Sequence, residues 1–378
     1  MLRATPGRAR RGHVIALVVI MLVFLVGMVA FAIDTGYVAA TRTRLQGDSD
    51  AGVLAGACKL GTWPGQEVPE SAAKAEVRKF VTLNEDLTVR NEDLRLVRYN
   101  PLKPASERLS TTYSAATPPN ACELTLRRDQ LANGRLNLSF GPVLGHSAAD
   151  VRVKSMAYIL PAKGIKAGAP MLPYTMQVDY YFACVGQQRT GIDGKPIEVA
   201  DNYTVQSNGT VTPGPDGVFE CVLFSSTQNK PGNFGSLDIG SSSNGTPELQ
   251  RQILRGPTSA DFHDPDFFAK IAADEALYTP VVLTGDTGLS TSTRHAFDIT
   301  FGQPRIIPLY DSVVGTGDGA AYHIVGYAAI TVLVEDFNGN PKKLWIQPSK
   351  VITNRATAGD IDGPVSYGVF MPPRLVIP

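Results

Sequence analysis

The chain is short of what marks an enzyme. Its five histidines stand singly, no G-x-S-x-G, no phosphate-binding G-x-x-x-x-G-K-[ST] and no H-E-x-x-H occurs, and none of its four cysteines is spaced C-x-x-C. Hydrolytic, nucleotide and zinc chemistry are therefore left without their usual carriers. Net charge is missing too, since 35 Lys and Arg balance 35 Asp and Glu. Arg3, Arg8, Arg10 and Arg11 sit in an N-terminus without acids, so the rest is mildly acidic and lacks the basic footprint of a nucleic-acid binder. Proline is absent between Pro6 and Pro64, and charge is absent from Val14 to Ile33. These last two absences organise everything else.

Twenty uncharged residues at about 1.5 Å each cover about 30 Å of hydrocarbon. The expectation is one transmembrane helix over 13–33, with Val14, Leu17, Leu22, Leu25 and Ile33 in the span. The arginines before it and Asp34 after it place residues 1–12 in the cytoplasm and the bulk of the chain outside. Ala30-Phe31-Ala32 has the form of a signal-peptidase site, but the apolar run exceeds a signal core, so retention is expected. Arg10-Arg11 reads as topogenic charge rather than a twin-arginine signal. With no proline to stop it, the helix is expected to continue outside. Gly36, Ala40, Gly47, Ala51 and Ala55 make a stripe of small residues, shared with Tyr37 and Leu54, that reads as a packing face. Arg42, Arg44, Asp48 and Asp50 then belong to solvated faces.

The order of RRG, apolar span and AIDTGYVAATRTRLQGDSDAGVLAGA resembles the N-terminal segment of TadE/TadG-like proteins of the tight-adherence (Flp) pilus-assembly system. Asp34 and Gly36, Leu45 with Gln46, and Asp50 through Ala57 carry the resemblance. Where that family typically has alanines, this chain has Gly47, Ser49, Gly52 and Val53. Softer likenesses to such proteins lie at 140–159 and, in order, around 231–253, Gly285, Arg305 and Tyr322.

Beyond the helix the fold class expected is α+β: an exported helix followed by a β-rich extracytoplasmic region. Residues 71–84 read as a helix capped by Ser71, with Ala72, Ala75, Val77 and Phe80 on its apolar face. Alternation predicts strands in the stretches from Leu87, Cys122, Arg135 and Val151, completing a unit over 34–163. KGIKAGAP at Lys163 marks the boundary to a second, β-rich domain over 164–378, with strands in MQVDYYFACV, IEVADNYTV and VFECVLF. Tyr322–Val334, β-branched and nearly uncharged, reads as a central strand buried on both faces. The even cysteine count suggests two disulfides, three pairings being open. Cys184 with Cys221, inside one presumed domain, is the favoured bridge, leaving Cys58 to Cys122. The acid groups at Asp261–Asp266, Asp360–Asp362 and Asp238 read as turns and helix starts rather than metal sites, and GTGDGA at Gly315 as a hairpin loop.

The sequence thus points to a single-pass bacterial inner-membrane protein that works by binding and not by catalysis. No cofactor, nucleic acid or small-molecule substrate is expected, and the partners are the inner membrane and other pilus-assembly or envelope subunits. A membrane-tethered periplasmic enzyme or ligand-binding protein is the alternative. A pilin-like subunit cut after Gly12 is a third, disfavoured because Leu17 stands where such pilins carry glutamate.

Overall fold

The computed structural model describes residues 13–186, 197–225, 234–240, 245–286, 291–315, 319–337, 342–363 and 366–376. The expected cytoplasmic segment 1–12, the turn expected at 191–196, half of the loop expected at Gly315, and parts of the likenesses at 231–253 and Gly285 lie outside the described residues.

One helix, α1 (His13–Leu60), runs unbroken for 48 residues. Its most apolar window has a mean hydropathy of 3.2 and none of it is covered by the rest of the chain, which makes it long and apolar enough to cross a membrane. The helix continues past Ile33 because nothing in the sequence stops it. A second helix, α2 (Glu70–Asn84), follows a short turn. Ser71 does not cap it: the cap position is Pro69, and Ser71 lies within the first turn. Its buried residues are Ala73, Val77 and Val81, so the apolar face is turned from the expected one and Phe80 is exposed. The four-residue spacing of 73, 77 and 81 was the truer signal.

Around these helices lies an antiparallel sheet built from β1 (Leu94–Tyr99), β2 (Leu109–Ser110), β3 (Ala121–Arg128) and, beyond a small hairpin of β4 (Leu136–Asn137) and β5 (Ala148–Ala149), β6 (Val151–Tyr158). The order is β2-β1-β3-β6, and the fifth strand is Arg374–Leu375, paired with β6. The end of the chain thus returns to the first unit. Phe370 and Leu375 pack into the helix–sheet core, while Arg98 and Lys103 bond Asp362 and Asn100 bonds Asp360. Both cations hold the Asp362 carboxyl well below the usual carboxylate range. The stretch from Arg135 expected as a strand gives only the two residues of β4.

The rest is mainly an eight-stranded sheet. Its spine is Ala320–Asp336, whose residues 326–333 are buried on both faces. One edge pairs with Pro304–Val314, the other first with Val281–Asp286 and then with Lys343–Pro348. Because Val281–Asp286 also reaches Pro304–Val314 through Phe234–Leu237 and Tyr174–Gln177, five strands close a ring around Leu237, Leu283, Ile306, Tyr310 and Tyr322. The stretch expected as one strand, MQVDYYFACV, divides: after Tyr174–Gln177 it winds into the helix Val178–Val185. Over eight residues an aromatic run fits either period. The helix wins because it buries Tyr181 and Cys184 together, and Cys184 is bonded to Cys221 on strand Glu220–Ser225. Cys58 and Cys122 are both free thiols, against the expected second bridge. Cys122 lies under Gly56, whereas Cys58 is two residues on, about 200° around the helix.

Candidate functional site

The site is the seam along which α1 carries the first sheet. Down one side of the helix, Asp34, Thr41, Leu45, Asp48, Ser49, Gly52, Val53, Gly56, Ala57 and Leu60 are buried, and Val38 is half-buried on the same core. Steps of three and four residues keep these on one slowly drifting stripe. This is not the stripe of small residues expected from the sequence. Gly36, Ala40 and Gly47 are exposed, Ala51 and Ala55 only half-buried, and neither Gly36 nor Gly47 has any atom within 4 Å of where a Cβ would stand. Close approach occurs instead at Gly52 and Gly56. A Cβ on Gly52 would meet Val81 Cγ2 at 2.9 Å, and one on Gly56 would meet Val77 Cγ2 at 2.4 Å and Cys122 Sγ at 3.0 Å. The departures from alanine thus admit α2 and β3 to the helix backbone, and the signal in the sequence was Gly-x-x-x-Gly at 52–56.

Three polar side chains along the seam, Asp34, Gln46 and Asp50, bond groups about a hundred residues away in sequence. Asp34 accepts three backbone hydrogen bonds, from Ser139 N at 2.9 Å, Phe140 N at 3.0 Å and Gly141 N at 2.6 Å, and so fastens the tip of the β4–β5 hairpin to the end of the span. One helical stretch further on, Gln46 Nε2 donates to Asp50 Oδ1 and to Ser155 Oγ on β6, both at 2.8 Å, and Ser155 Oγ donates to Asp50 Oδ1 at 2.5 Å. Asp50 is therefore not on a solvated face. Leu45, beside Gln46, is 1% exposed in the core. Asp34, Leu45, Gln46 and Asp50 stand out in the sequence without their partners, because nothing local announces Ser155 or the 139–141 amides.

Asp48 is also buried rather than solvated. Burial, then the carboxylate of Glu85, raises its pKa, against a hydrogen bond from Asn84. A raised carboxyl pKa means that the folded state binds the proton more tightly, so the ionised form costs stability. That cost is absent below the ordinary carboxylate pKa and complete above the raised one. Asp48→Asn should therefore gain stability relative to the native chain as pH rises from the carboxylate range to neutrality, measured as paired melting curves. A constant difference across that range would exclude Asp48 as the source. Asp34 gives a second expectation. Asp34→Ala leaves three amides without their charged acceptor, and each such bond contributes about 1.5–3 kcal/mol. Backbone exchange at 139–146 should accelerate strongly while β3 and β6 stay protected; unchanged exchange there would contradict the anchoring role.

The acid-rich turns are committed to structure. Thr258 caps the helix Ser259–Phe262 in a capping box with Asp261, whose carboxylate accepts from Thr258 N and pairs with Arg251 at 2.6 Å. Among the described residues no group of three or more His, Cys, Asp or Glu is placed to hold a metal ion.

Residues 12–59 match the family model "Putative Flp pilus-assembly TadE/G-like". The match covers the span and nearly the whole seam on α1, and it includes Asp34, Leu45, Gln46 and Asp50. In this TadE/G-like segment the polar residues behind the resemblance bind the helix to other parts of the chain, Gln46 and Asp50 to β6 of the sheet and Asp34 to the β4–β5 hairpin. No curated protein and no solved structure matches the chain.

Proposed function

We propose that the chain is a membrane-anchored assembly component of a tight-adherence, Flp-type pilus or a related envelope secretion system. Its N-terminus is cytoplasmic, its span is held in the inner membrane of a bacterium, and its α+β bulk stands in the periplasm. It works by protein–protein binding and not by catalysis. The observation that carries this reading is the TadE/G-like segment itself, which couples a membrane span directly to a rigid seat for the exported sheet. Asp34, Gln46 and Asp50 are committed to internal hydrogen bonds, which suits a mast holding a domain at a fixed height above the membrane. The helix face left uncovered just outside the span, with Gly36, Tyr37 and Ala40 exposed, is where a partner subunit has access.

The test is made in the source cells. Deleting the chain should abolish surface pili, and a photo-cross-linker at Tyr37 should form an adduct with a subunit of the same assembly system. Normal piliation after deletion would remove the proposal.

A further inference from the structure

The hairpin of β4 and β5 stands out by composition. From Leu136 to Ala149 there is no Asp, Glu, Lys or Arg, and at its base Arg135 Nε pairs with Asp150 Oδ1 at 2.7 Å. Its tip carries Phe140, Pro142 and Val143, all exposed, Val143 to 85%. An apolar tip so open to its surroundings is unusual on a water-facing hairpin. It also lies beside the membrane span. Phe140 and Val143 form one wall of a groove of about 1040 Å³ whose other wall is Val23, Phe24, Gly27 and Phe31 of α1. Val23 is eleven residues before Asp34, so the groove reaches about 16 Å down the helix from the point where Asp34 holds the hairpin.

Most backbone amides of the tip are already bonded within the protein. The amides of Ser139, Phe140 and Gly141 are taken by Asp34. Val143 N donates to Phe140 O at 3.1 Å, Gly145 N to Pro142 O at 3.1 Å and His146 N to Gly141 O at 2.9 Å, and Pro142 has no N–H. Irregular backbone is tolerated near hydrocarbon only when its polar groups are satisfied in this way. His146, the one titratable group in the stretch, lies on the groove wall.

We infer that the 138–147 tip is a second membrane contact: Phe140, Pro142 and Val143 enter the outer face of the bilayer beside the span, and the groove between them and α1 holds a phospholipid acyl chain. The occupant follows from continuity, because the helix wall of the groove is the exposed apolar surface that the span presents to lipid. The contact fixes the depth and tilt of the helix–sheet unit against the bilayer, which a single span leaves free. This inference rests on the span being held in the membrane, and the experiment separates the two.

In a Cys58→Ser, Cys122→Ala background of the full chain, Val143→Cys, Leu22→Cys and Leu102→Cys are each labelled with an environment-sensitive fluorophore. Each protein is then reconstituted in phosphatidylcholine vesicles bearing a doxyl quencher near the headgroup or near the chain end. Leu22 lies in the span, and Leu102 is exposed at the opposite end of the first sheet. The expected result is a blue-shifted label at 143 that loses emission chiefly to the shallow quencher, a label at 22 that loses it to the deep one, and a label at 102 that loses none. A label at 143 that stays water-like while 22 is quenched overturns the hairpin contact and leaves the anchoring intact. A blue-shifted but unquenched label at 143 means that protein, such as a second copy, fills the groove, and also overturns it. No quenching at 22 removes the anchoring, and the hairpin contact with it.

Discussion

Replacing Gly56 with leucine should destabilise the first unit by about 3 kcal/mol or more, because the new side chain has nowhere to go. Its Cβ alone would stand 2.4 Å from Val77 Cγ2 and 3.1 Å from Ala73 O, and the second of these is backbone that cannot rotate away. The informative control is Gly47→Leu on the same helix. Nothing lies within 4 Å of that position, so the substitution only removes a glycine from a helix interior, which is worth up to about 1 kcal/mol in favour of the variant. Thermal unfolding of the full chain in detergent should rank Gly47→Leu at or above the native protein and Gly56→Leu well below it. Equal midpoints for the two would mean that the close crossing of α1 with α2 is not formed.

Cys184→Ser should cost about 4 kcal/mol, the loop-closure estimate for a bridge spanning 37 residues. The bridge ties the helix Val178–Val185 to the strand Glu220–Ser225 across a segment whose described residues hold only short strands between Val199 and Pro213. Little apolar burial would replace it. The loss should appear in the second unit while the helix–sheet seam stays protected from exchange. Peptide mapping without reduction should recover Cys184 linked to Cys221. Cys122 should be alkylated only after unfolding, since burial pushes its thiol up to about 12 and Cys122 is 0% exposed. A linked Cys58–Cys122 peptide would contradict the free thiols.

The parts of the fold legible in the sequence are those whose cause is local. A charge-free run from Val14 to Ile33 and the lack of proline until Pro64 are enough for a long helix, and the uncharged Tyr322–Val334 run is enough for a doubly buried strand. Two stripes of α1 fit a helical period equally well, so periodicity alone does not identify the packing face. Small residues mark one of them, but what buries the other is the pairing of Asp34, Gln46 and Asp50 with groups about a hundred residues away, which periodicity does not register. The same limit explains the return of the chain end, where two residues, Arg374–Leu375, complete a sheet begun at Leu94. The Val178–Val185 helix is a case of tertiary context deciding an ambiguous aromatic run.

The central claim is that α1 leaves the membrane as one continuous helix and carries the sheet as a rigid mast. The stretch most able to contradict it is 35–44, which lies beyond the apolar span and before Leu45, with Val38 and Thr41 as its contacts to the core side. Amide hydrogen exchange of the full chain in lipid vesicles measures it directly. A continuous helix gives slow exchange through 35–44 on the timescale of the seam residues 45–60. Exchange at 35–44 as fast as that of an unstructured linker, with 45–60 still protected, would mean that the sheet hangs from a flexible tether.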